Sequence, residues 1–581
     1  MDTPSPYPFD RLRTEATAVL AATGLVAADA VTLAEPKANV PADLAFPVFA
    51  AAKVAGVAPP VFARQIADAV TLAPDSLLAT VEAAGGFVNF AVRPEAFASA
   101  VLESVAARVD SYGEDKTIGA GDTVIVEYSS PNIAKKLHVG SLRTTVIGHS
   151  LYLILKALGY TVVGDNHLGD WGTQFGYILA AIHDNNLAPW DDPDPVAALM
   201  KIYADINTAA ETDPTIKDAA RAWFRKLEEG DPWARETWGR IITLSLAEFE
   251  KTYSRLDITF DTQVGESFFE PVLDAVIQEA VDKGVAMVEP GGPVAIDFDD
   301  KLPSCLLRKT DGGTLYQTRD LATLLYRWNE YHPARNIYVV GAEQRLHFQQ
   351  VFEIARRMGY AEIADRSVHI PFGMVTKADG DRFRTRKGEV IFADEILDEA
   401  AVRAEAVMRE QIAGGRSEVS ESEITGVSEI LGIGAVIYSD LYQGTDRNIA
   451  FDWDKMLALN GNTATYNQYM YARCRSILRK AGETGNANAT LLMEPEEQAV
   501  LKQLARLPQS VRDAGDKFSP AIVAEWTYTL AKEFGRFYDK CPVLTAPIEE
   551  LKAARLALVA ATAQGLKNGL ALLGIRVPER M

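Results

Sequence analysis

Between residues 119 and 430 short apolar runs alternate with helical or loop segments: "TVIVEY", "YTVVGDNHLGD", "PVAIDF", "TLYQT", "NIYVVGAEQ" and "RSVHIPFGMV". Such alternation restricts the chain to an α/β architecture with a doubly wound parallel sheet. Its first strand-to-helix switch, "EYSSPNIAKKLHVGSLRTT" from Glu127 to Thr145, is unusual in composition. A carboxylate, a turn-forming Ser-Ser-Pro-Asn, two lysines and a histidine separate strand from helix. The helix that follows carries Val139, Leu142, Val146, Leu153 and Leu158 near the 3.6-residue period. Sheets of this type bind anions at such switches, where helix N-terminal amides are unpaired and partly positive.

The flanking segments differ from this core. Residues 1–118 are alanine-rich, with a helical patch "PPVFARQIADAVTLA" and an alternating strand "GFVNFAV". They predict an α+β domain. A charge-rich helical insertion covers about 195–258, and after the acidic stretch "SEVSESEITGVSE" residues 431–581 read as an all-helical bundle. Three units, 1–118, 119–430 and 431–581, agree with a length of 581 residues, for which roughly three to five domains are expected.

Hydrophobic content of 48% and charged content of 24% are those of a water-soluble globular chain. No uninterrupted apolar run approaches the roughly 18 residues of a membrane span, and "MDTPSPYPFDRL" has no secretory pattern. The three cysteines, Cys305, Cys474 and Cys541, lie too far apart for a disulfide framework or a zinc site, and no histidine pair stands at zinc-ligand spacing. A reducing, cytoplasmic setting is expected, with no metal centre and no membrane partner. The net charge of −21 repels polyanions, so a nucleic-acid partner would need locally concentrated positive residues.

Neither G-x-G-x-x-G nor G-x-x-x-x-G-K-[ST] follows "TVIVEY", which removes ordinary dinucleotide and P-loop sites. The switch offers Lys135, Lys136, His138 and Gly140 instead. Gly140 would let a base or phosphate approach the backbone, and the histidine and a lysine would meet phosphate charge. The same residues also suit a capped helix with a buried histidine and solvated lysines. Further on, "DGDRFRTRKGEVI" at 379–391 gathers Arg382, Arg384, Arg386 and Lys387 around Thr385 and Gly388, a composition matched to a departing pyrophosphate or to a plain basic turn. In "TATYNQYMYARCRSILRKAG", Tyr466, Met470, Cys474 and Ile477 form one stripe. Arg473 and Lys480 share another face, and Arg475 neighbours Arg479. Tyrosines beside arginines suit unpaired bases and phosphates, or the charged outside of an amphipathic helix.

"SSPNIAKKLHVGSLR" resembles the H-x-G-H signature of class I aminoacyl-tRNA synthetases, in the form found in arginyl-tRNA synthetases. "GDNHLGDWGTQFG", "GESFFEP", "LLRKTDGGTLYQTRDLA", "IYVVGAEQRLHFQQVF" and "FDWDKMLALNGNTATYNQYMYARCRSILRKAG" resemble that family too, over essentially the whole length. The resemblance implies a Rossmann-like catalytic domain, an added N-terminal domain that approaches the tRNA elbow and an anticodon-binding bundle. It implies a monomeric ligase of translation whose partners are ATP with Mg2+, L-arginine and tRNA(Arg). By the same resemblance Lys135, His138, Gly140, Ser141 and the 379–391 loop serve catalysis, and His138, Gly140, His347 and Met374 surround ATP. Glu127 and Asp320 are assigned to the guanidinium, Asn132 and Gln344 to the α-amino and carboxylate end, and Tyr316 to packing. Asp320 is taken to follow a strand "TLYQT". Tyr469, Arg473 and Met581 are assigned to tRNA.

Two positions depart from the family pattern. Ser141 replaces the usual second histidine, and the loop lacks the usual lysine pair. Lys135 stands where arginyl enzymes with such a loop carry a compensating lysine, and Lys136 is expected to be exposed. His149, His183, His332 and His369 carry no motif and are expected to be structural, whereas His167 and Asp170 either touch ligand or brace the crevice. The rival readings are a cysteinyl or glutaminyl class I enzyme and a non-catalytic RNA-binding relative.

Overall fold

A computed structural model describes residues 5–37, 40–377, 391–415, 417–482 and 485–581. In the N-terminal unit β1 (Leu44–Pro47), β2 (Leu78–Ala84) and β3 (Phe87–Val92) form an antiparallel sheet in the order β1-β3-β2. Strand β3 alternates strictly: Val88, Phe90 and Val92 are buried, and the residues between them are partly exposed. That period-two pattern is what a one-sided sheet requires. Helices Pro8–Ala22 and Pro94–Arg108 complete this core, joined by an edge-to-face contact of Phe9 and Phe97.

The central sheet is built from β4 (Thr123–Glu127) and β5 (Thr161–Asp165), with two strands from later in the chain. Between β5 and those strands comes the insertion, three helices spanning Pro195–Thr212, Pro214–Glu228 and Pro232–Leu256. Each starts at an Asp-Pro pair. Asp194, Asp213 and Asp231 accept from the amides of Ala197, Thr215 and Ala234, while proline at the first helical position gives up an amide hydrogen that would lack a partner anyway.

A smaller antiparallel sheet follows, β6 (Met287–Val288), β7 (Val294–Ile296) and β8 (Cys305–Arg308), with its own core around Phe269, Ile277, Leu307, Leu324 and Phe348. "PVAIDF" therefore belongs to this side sheet and not to the parallel one. "TLYQT" is not a strand either. Tyr316–Tyr331 is a helix, because Thr318, Leu321, Ala322 and Leu325 fall on one buried face, and this periodicity overrides the strand preference of threonine.

Strands β9 (Arg335–Gly341) and β10 (Ser367–Phe372) then enter the central sheet, whose order is β10-β9-β4-β5, parallel throughout. Val124, Ile125 and Val126 of β4 are all buried, as expected where helices cover both faces. The register sets Glu127 beside Asp165 on one side and Tyr338 on the other, so three polar side chains meet at strand carboxyl ends.

Finally β11 (Val375–Lys377) pairs in parallel with β12 (Ile449–Phe451), and helices Ala464–Ala481, Pro495–Ala505, Leu507–Asp516, Ala521–Lys540 and Glu549–Leu572 form the C-terminal bundle. Helix Ile424–Leu441 runs through the expected boundary at 430/431. It is the one helix among the described residues long and apolar enough to span a membrane, yet 67% of that window is buried inside the protein.

Candidate functional site

The turn after β4 places Ser129, Ser130 and Ala134 in the left-handed region, at φ of 68°, 47° and 62°. For residues other than glycine this costs about 1–2 kcal/mol each, so the surroundings must hold the turn. They do so through backbone amides. Ser129 donates to Thr144 Oγ1 (3.2 Å), Ser130 to Asn166 Oδ1 (3.1 Å) and Ala134 to Ser245 Oγ (2.9 Å).

Helix Val139–Ala157 then starts with His138 as its cap. Its Nδ1 accepts from the amides of Gly140 (2.9 Å) and Ser141 (3.2 Å). A Cβ at Gly140 would stand 2.9 Å from the His138 Cε1, so a side chain there would push the capping ring. Desolvation, with Lys135 adding positive charge, holds the His138 pKa below the ordinary imidazole value. The neutral ring is the form that accepts two amides.

Lys135 is half-buried, with its ammonium 5.9 Å from the Tyr203 ring centre, and it makes no ion pair among the described residues. Lys136, expected to be exposed, is instead held by Asp194 (2.7 Å) and Glu248 (3.5 Å), its side chain 17% exposed. Burial opposes its charge, but these acids still raise its pKa above the ordinary value. The insertion supplies both acids, a contact that local sequence does not reveal.

Arg382, Arg384, Arg386 and Lys387 lie outside the described residues. The chain on either side of them is tied to the switch. Val139 donates to Ile391 O (3.2 Å) and Ala393 to Leu137 O (2.8 Å). The buried Arg143 donates to the carbonyls of Gly373 (2.6 Å), Arg447 (3.0 Å) and Thr445 (3.2 Å) and to Asp440 (3.1 Å). Burial pushes the Asp440 carboxyl up to about 6 against the pull of Arg143. Met374 is 51% exposed, its amide bonded to Asn448.

At the strand ends the buried Arg327 donates one Nη2 to Glu127 (2.7 Å) and to Asp165 (2.5 Å). Glu127, expected to grip a ligand guanidinium, thus already holds the chain's own. Its burial raises its pKa, with Arg327 opposing. Asp320 pairs with His347, so two residues expected to face different ligands face each other. Burial works against the charge of Asp320, yet His347 holds its pKa below the usual carboxylate value. Gln344 is exposed in the turn after β9.

A cavity of about 510 Å³ has Asn132, Tyr203, Glu228, Glu266, Tyr316 and Arg319 among its lining, and neither Glu127 nor Asp320 lines it. The structure therefore joins Asn132 and Tyr316, the latter 66% exposed, and sets Glu127 and Asp320 as paired acids among the neighbouring charges. Glu266 was not singled out in sequence, although its segment "GESFFEP" was. It is bound to Arg319 Nη1 (2.7 Å), and burial raises its pKa against that pairing. An acid two residues before a pair of phenylalanines was the available signal. Nothing local marks Arg327.

A second cavity, about 690 Å³, lies in the C-terminal bundle, lined in part by Tyr469, Arg473, Lys480, Tyr538 and Met581. The Arg473 guanidinium lies between two rings, 4.7 Å from that of Tyr469, to which it also hydrogen-bonds, and 4.6 Å from that of Tyr538. Glu579 fastens the chain end to the same helix through Tyr471 Oη (2.8 Å) and Arg475 Nε (2.8 Å).

Residues 104–453 match the catalytic-domain family described as tRNA synthetases class I (R), and residues 467–581 match the DALR anticodon binding domain. The chain is 47% identical over 579 residues to the arginine–tRNA ligase of Chloroflexus aggregans, covering 99% of this chain and 100% of that one. It is 40% identical over 545 residues to a Clostridium botulinum arginine–tRNA ligase, covering 93% and 94%. The fold resembles the Thermus thermophilus arginyl-tRNA synthetase structure, with a TM-score of 0.81 at 24% identity and 98% and 100% coverage. It also resembles that of Plasmodium falciparum, with a TM-score of 0.79 at 22% identity. Parallel strands ending in a capped helix, paired acids at their carboxyl ends and a distal aromatic–arginine cavity thus lie in a chain that belongs to the arginyl-tRNA synthetase family of class I enzymes.

Proposed function

We infer that the chain is a catalytic arginine–tRNA ligase that activates L-arginine with ATP and transfers it to the 3′-terminal adenosine of tRNA(Arg). One observation carries the reading: an acid-bearing cavity beside the carboxyl ends of a parallel sheet, with Tyr203 in its wall 5.9 Å from the Lys135 ammonium. A guanidinium needs carboxylates that can each accept parallel N–H bonds. Asp320 and Glu127 supply part of that field, and Glu266, in the cavity wall, is added to them. Asn132 and Gln344 take the amino and carboxylate end, and Tyr316 covers the aliphatic stem.

ATP lies against the helix start, contacted by His138, Gly140, Ser141, His347 and Met374, and magnesium enters with it. The arginine carboxylate oxygen attacks the α-phosphorus and pyrophosphate leaves. The adenosine hydroxyl then attacks the activated carbonyl and AMP leaves. Lys135 meets the α-phosphate charge, and Arg382, Arg384, Arg386 and Lys387 meet the pyrophosphate. No protein nucleophile is needed, so alignment and fixed positive charge supply the acceleration. Tyr469, Arg473 and Met581 receive the anticodon loop. The first step depends on bound tRNA, the chain acts as a monomer, and the setting is the cytoplasm.

The deciding experiment charges tRNA with each amino acid in turn, with and without ATP. Arginine alone, with ATP, is the expected result, and a non-catalytic relative would charge nothing. Glu266→Gln, in the cavity wall, is expected to raise the arginine KM more than Glu127→Gln, which lies behind that wall, with the ATP KM unchanged in both. Ser141→His is expected to keep or raise activity.

A further inference from the structure

Two different parts of the chain hold the turn that follows β4. Near its end the catalytic core brackets a short stretch: Ile133 donates its amide to Gly169 O (3.1 Å), and Leu137 O accepts from Ala393 (2.8 Å). The three residues between them all meet the helical insertion. The Ala134 amide goes to Ser245 Oγ (2.9 Å), and the Lys135 ammonium lies 5.9 Å from the Tyr203 ring centre. Lys136 Nζ reaches Asp194 (2.7 Å), which caps the first insertion helix, and Glu248 (3.5 Å). Ser245 and Glu248 stand three apart on helix Pro232–Leu256 and so share one face.

Ala134 is the member of this stretch whose backbone needs support. Its φ of 62° lies in the left-handed region, which a β-carbon disfavours. Ser129 and Ser130, the other two such residues of the turn, give their amides to Thr144 and Asn166 of the core, whereas Ala134 gives its amide to the insertion. Ser245 is fully buried, and its hydroxyl proton goes to Ile241 O (2.8 Å), one turn back on the same helix. That leaves the oxygen lone pairs to accept from Ala134. The tie acts on backbone, one residue ahead of Lys135, and Lys135 itself makes no ion pair among the described residues. The clamp on Lys136 works through a long, flexible side chain and constrains the backbone less.

We propose that Ser245 is a positioning residue for the activation step: its hydroxyl fixes the backbone from which Lys135 reaches the α-phosphate, so that the insertion, rather than the sheet, sets where that charge stands. The proposal rests on the role given to Lys135 above. A fixed positive group accelerates a reaction only if it stands where negative charge develops, and a misplacement of about 1 Å costs on the order of a hundredfold in rate. Ser245 is sealed from solvent, so it acts through the turn and not on a ligand. Its loss should therefore slow the chemistry and leave ground-state binding alone.

The test is a double-mutant cycle of Ser245→Ala and Lys135→Ala, read as pyrophosphate exchange with tRNA present. Ser245→Ala is expected to slow exchange roughly tenfold to a hundredfold, with the arginine and ATP KM values within about twofold of the unaltered enzyme. Ser245→Thr, which keeps the hydroxyl, should recover most of the rate. Added to Lys135→Ala, Ser245→Ala should cost nothing further, because the group it positions is gone. A merely structural serine would slow both backgrounds by the same factor, and that result, or normal exchange in Ser245→Ala alone, overturns the proposal. Normal exchange in Lys135→Ala alone overturns the role of the lysine and the proposal with it, so the two failures are told apart. Should Ser245→Ala not fold, Ser245→Cys, similar in size and a poorer acceptor, takes its place in the same cycle with the same outcomes.

Discussion

The two cavities use guanidinium groups in opposite ways. At the sheet end Arg327 is 2% exposed at its side chain and fixed between two carboxylates, so it neutralises acids that would otherwise repel each other in a dry interior. In the bundle Arg473 is half-buried between the faces of Tyr469 and Tyr538, with no carboxylate among its described partners. A small ligand of fixed charge calls for the first arrangement, where every internal charge is balanced before the ligand arrives. An unpaired base, which presents a flat face and variable edges, calls for the second.

Removing the buried cation gives the sharpest test of this contrast. Arg327→Met leaves Glu127 and Asp165 buried without compensation and is expected to lower stability by roughly 3–5 kcal/mol, read as a fall in the urea midpoint. Adding Glu127→Gln to that variant should recover part of the loss. Arg473→Met, made at the partly exposed stack, should move the midpoint far less. If the two arginine variants melt alike, the distinction between the cavities fails.

Next in size is the effect of Lys135, which makes no ion pair among the described residues. Lys135→Ala is expected to slow adenylate formation roughly 10²–10³-fold, in keeping with the removal of one preorganised charge donor. Lys136→Ala, whose partners are Asp194 and Glu248, should stay within a few-fold. Pyrophosphate exchange with tRNA present measures both, and a normal rate in the Lys135 variant removes that residue from the chemistry.

Much of this was legible in sequence where the determinants are local. The buried run of β4, the helix that starts after the switch and the apolar stripe of Met470, Cys474 and Ile477 follow from periodicity within a few residues, whereas the exposed His138 that caps the helix was expected to be buried in a plain capped helix. The pairing of Arg327 with Glu127 spans 200 positions, and the contact of Lys136 with Asp194 spans 58. No local pattern encodes such pairs. "TLYQT" misled for a related reason: a threonine–tyrosine run has strand character, and the leucines that make it helical come later. Glu266 stood inside a recognised segment, but only the cavity shows that its carboxyl faces the same space as Asn132 and Tyr316.

A third, smaller test probes the helix that connects the two regions. His149, in the second half of helix Val139–Ala157, is buried, and the C-terminal Gly574 packs against its ring. Burial pushes its pKa down to about 4 from an unfolded value of 6.5. The folded state therefore favours the neutral ring. That preference contributes fully above 6.5 and is lost as the pH falls toward 4, a change on the order of 3 kcal/mol at most. His149→Leu should lose less melting temperature than the unaltered enzyme between pH 7 and pH 4.5, and equal losses would place the acid sensitivity elsewhere.

The smallest expected effect concerns the bundle. If a base is held there by stacking, the ring of Tyr538 matters and its hydroxyl does not. Tyr538→Ala should cost about 1–3 kcal/mol of tRNA binding, a rise in the tRNA KM of roughly fivefold to a hundredfold. Tyr538→Phe should remain close to the unaltered enzyme. The arginine and ATP constants measured with saturating tRNA should not move in either variant, because the sheet-end charges are balanced without help from the bundle. A Phe variant as impaired as the Ala variant would instead mean that the hydroxyl makes the contact. The second cavity would then read its ligand by hydrogen bonds, as proposed for the first, and the contrast between the two would narrow to one of exposure.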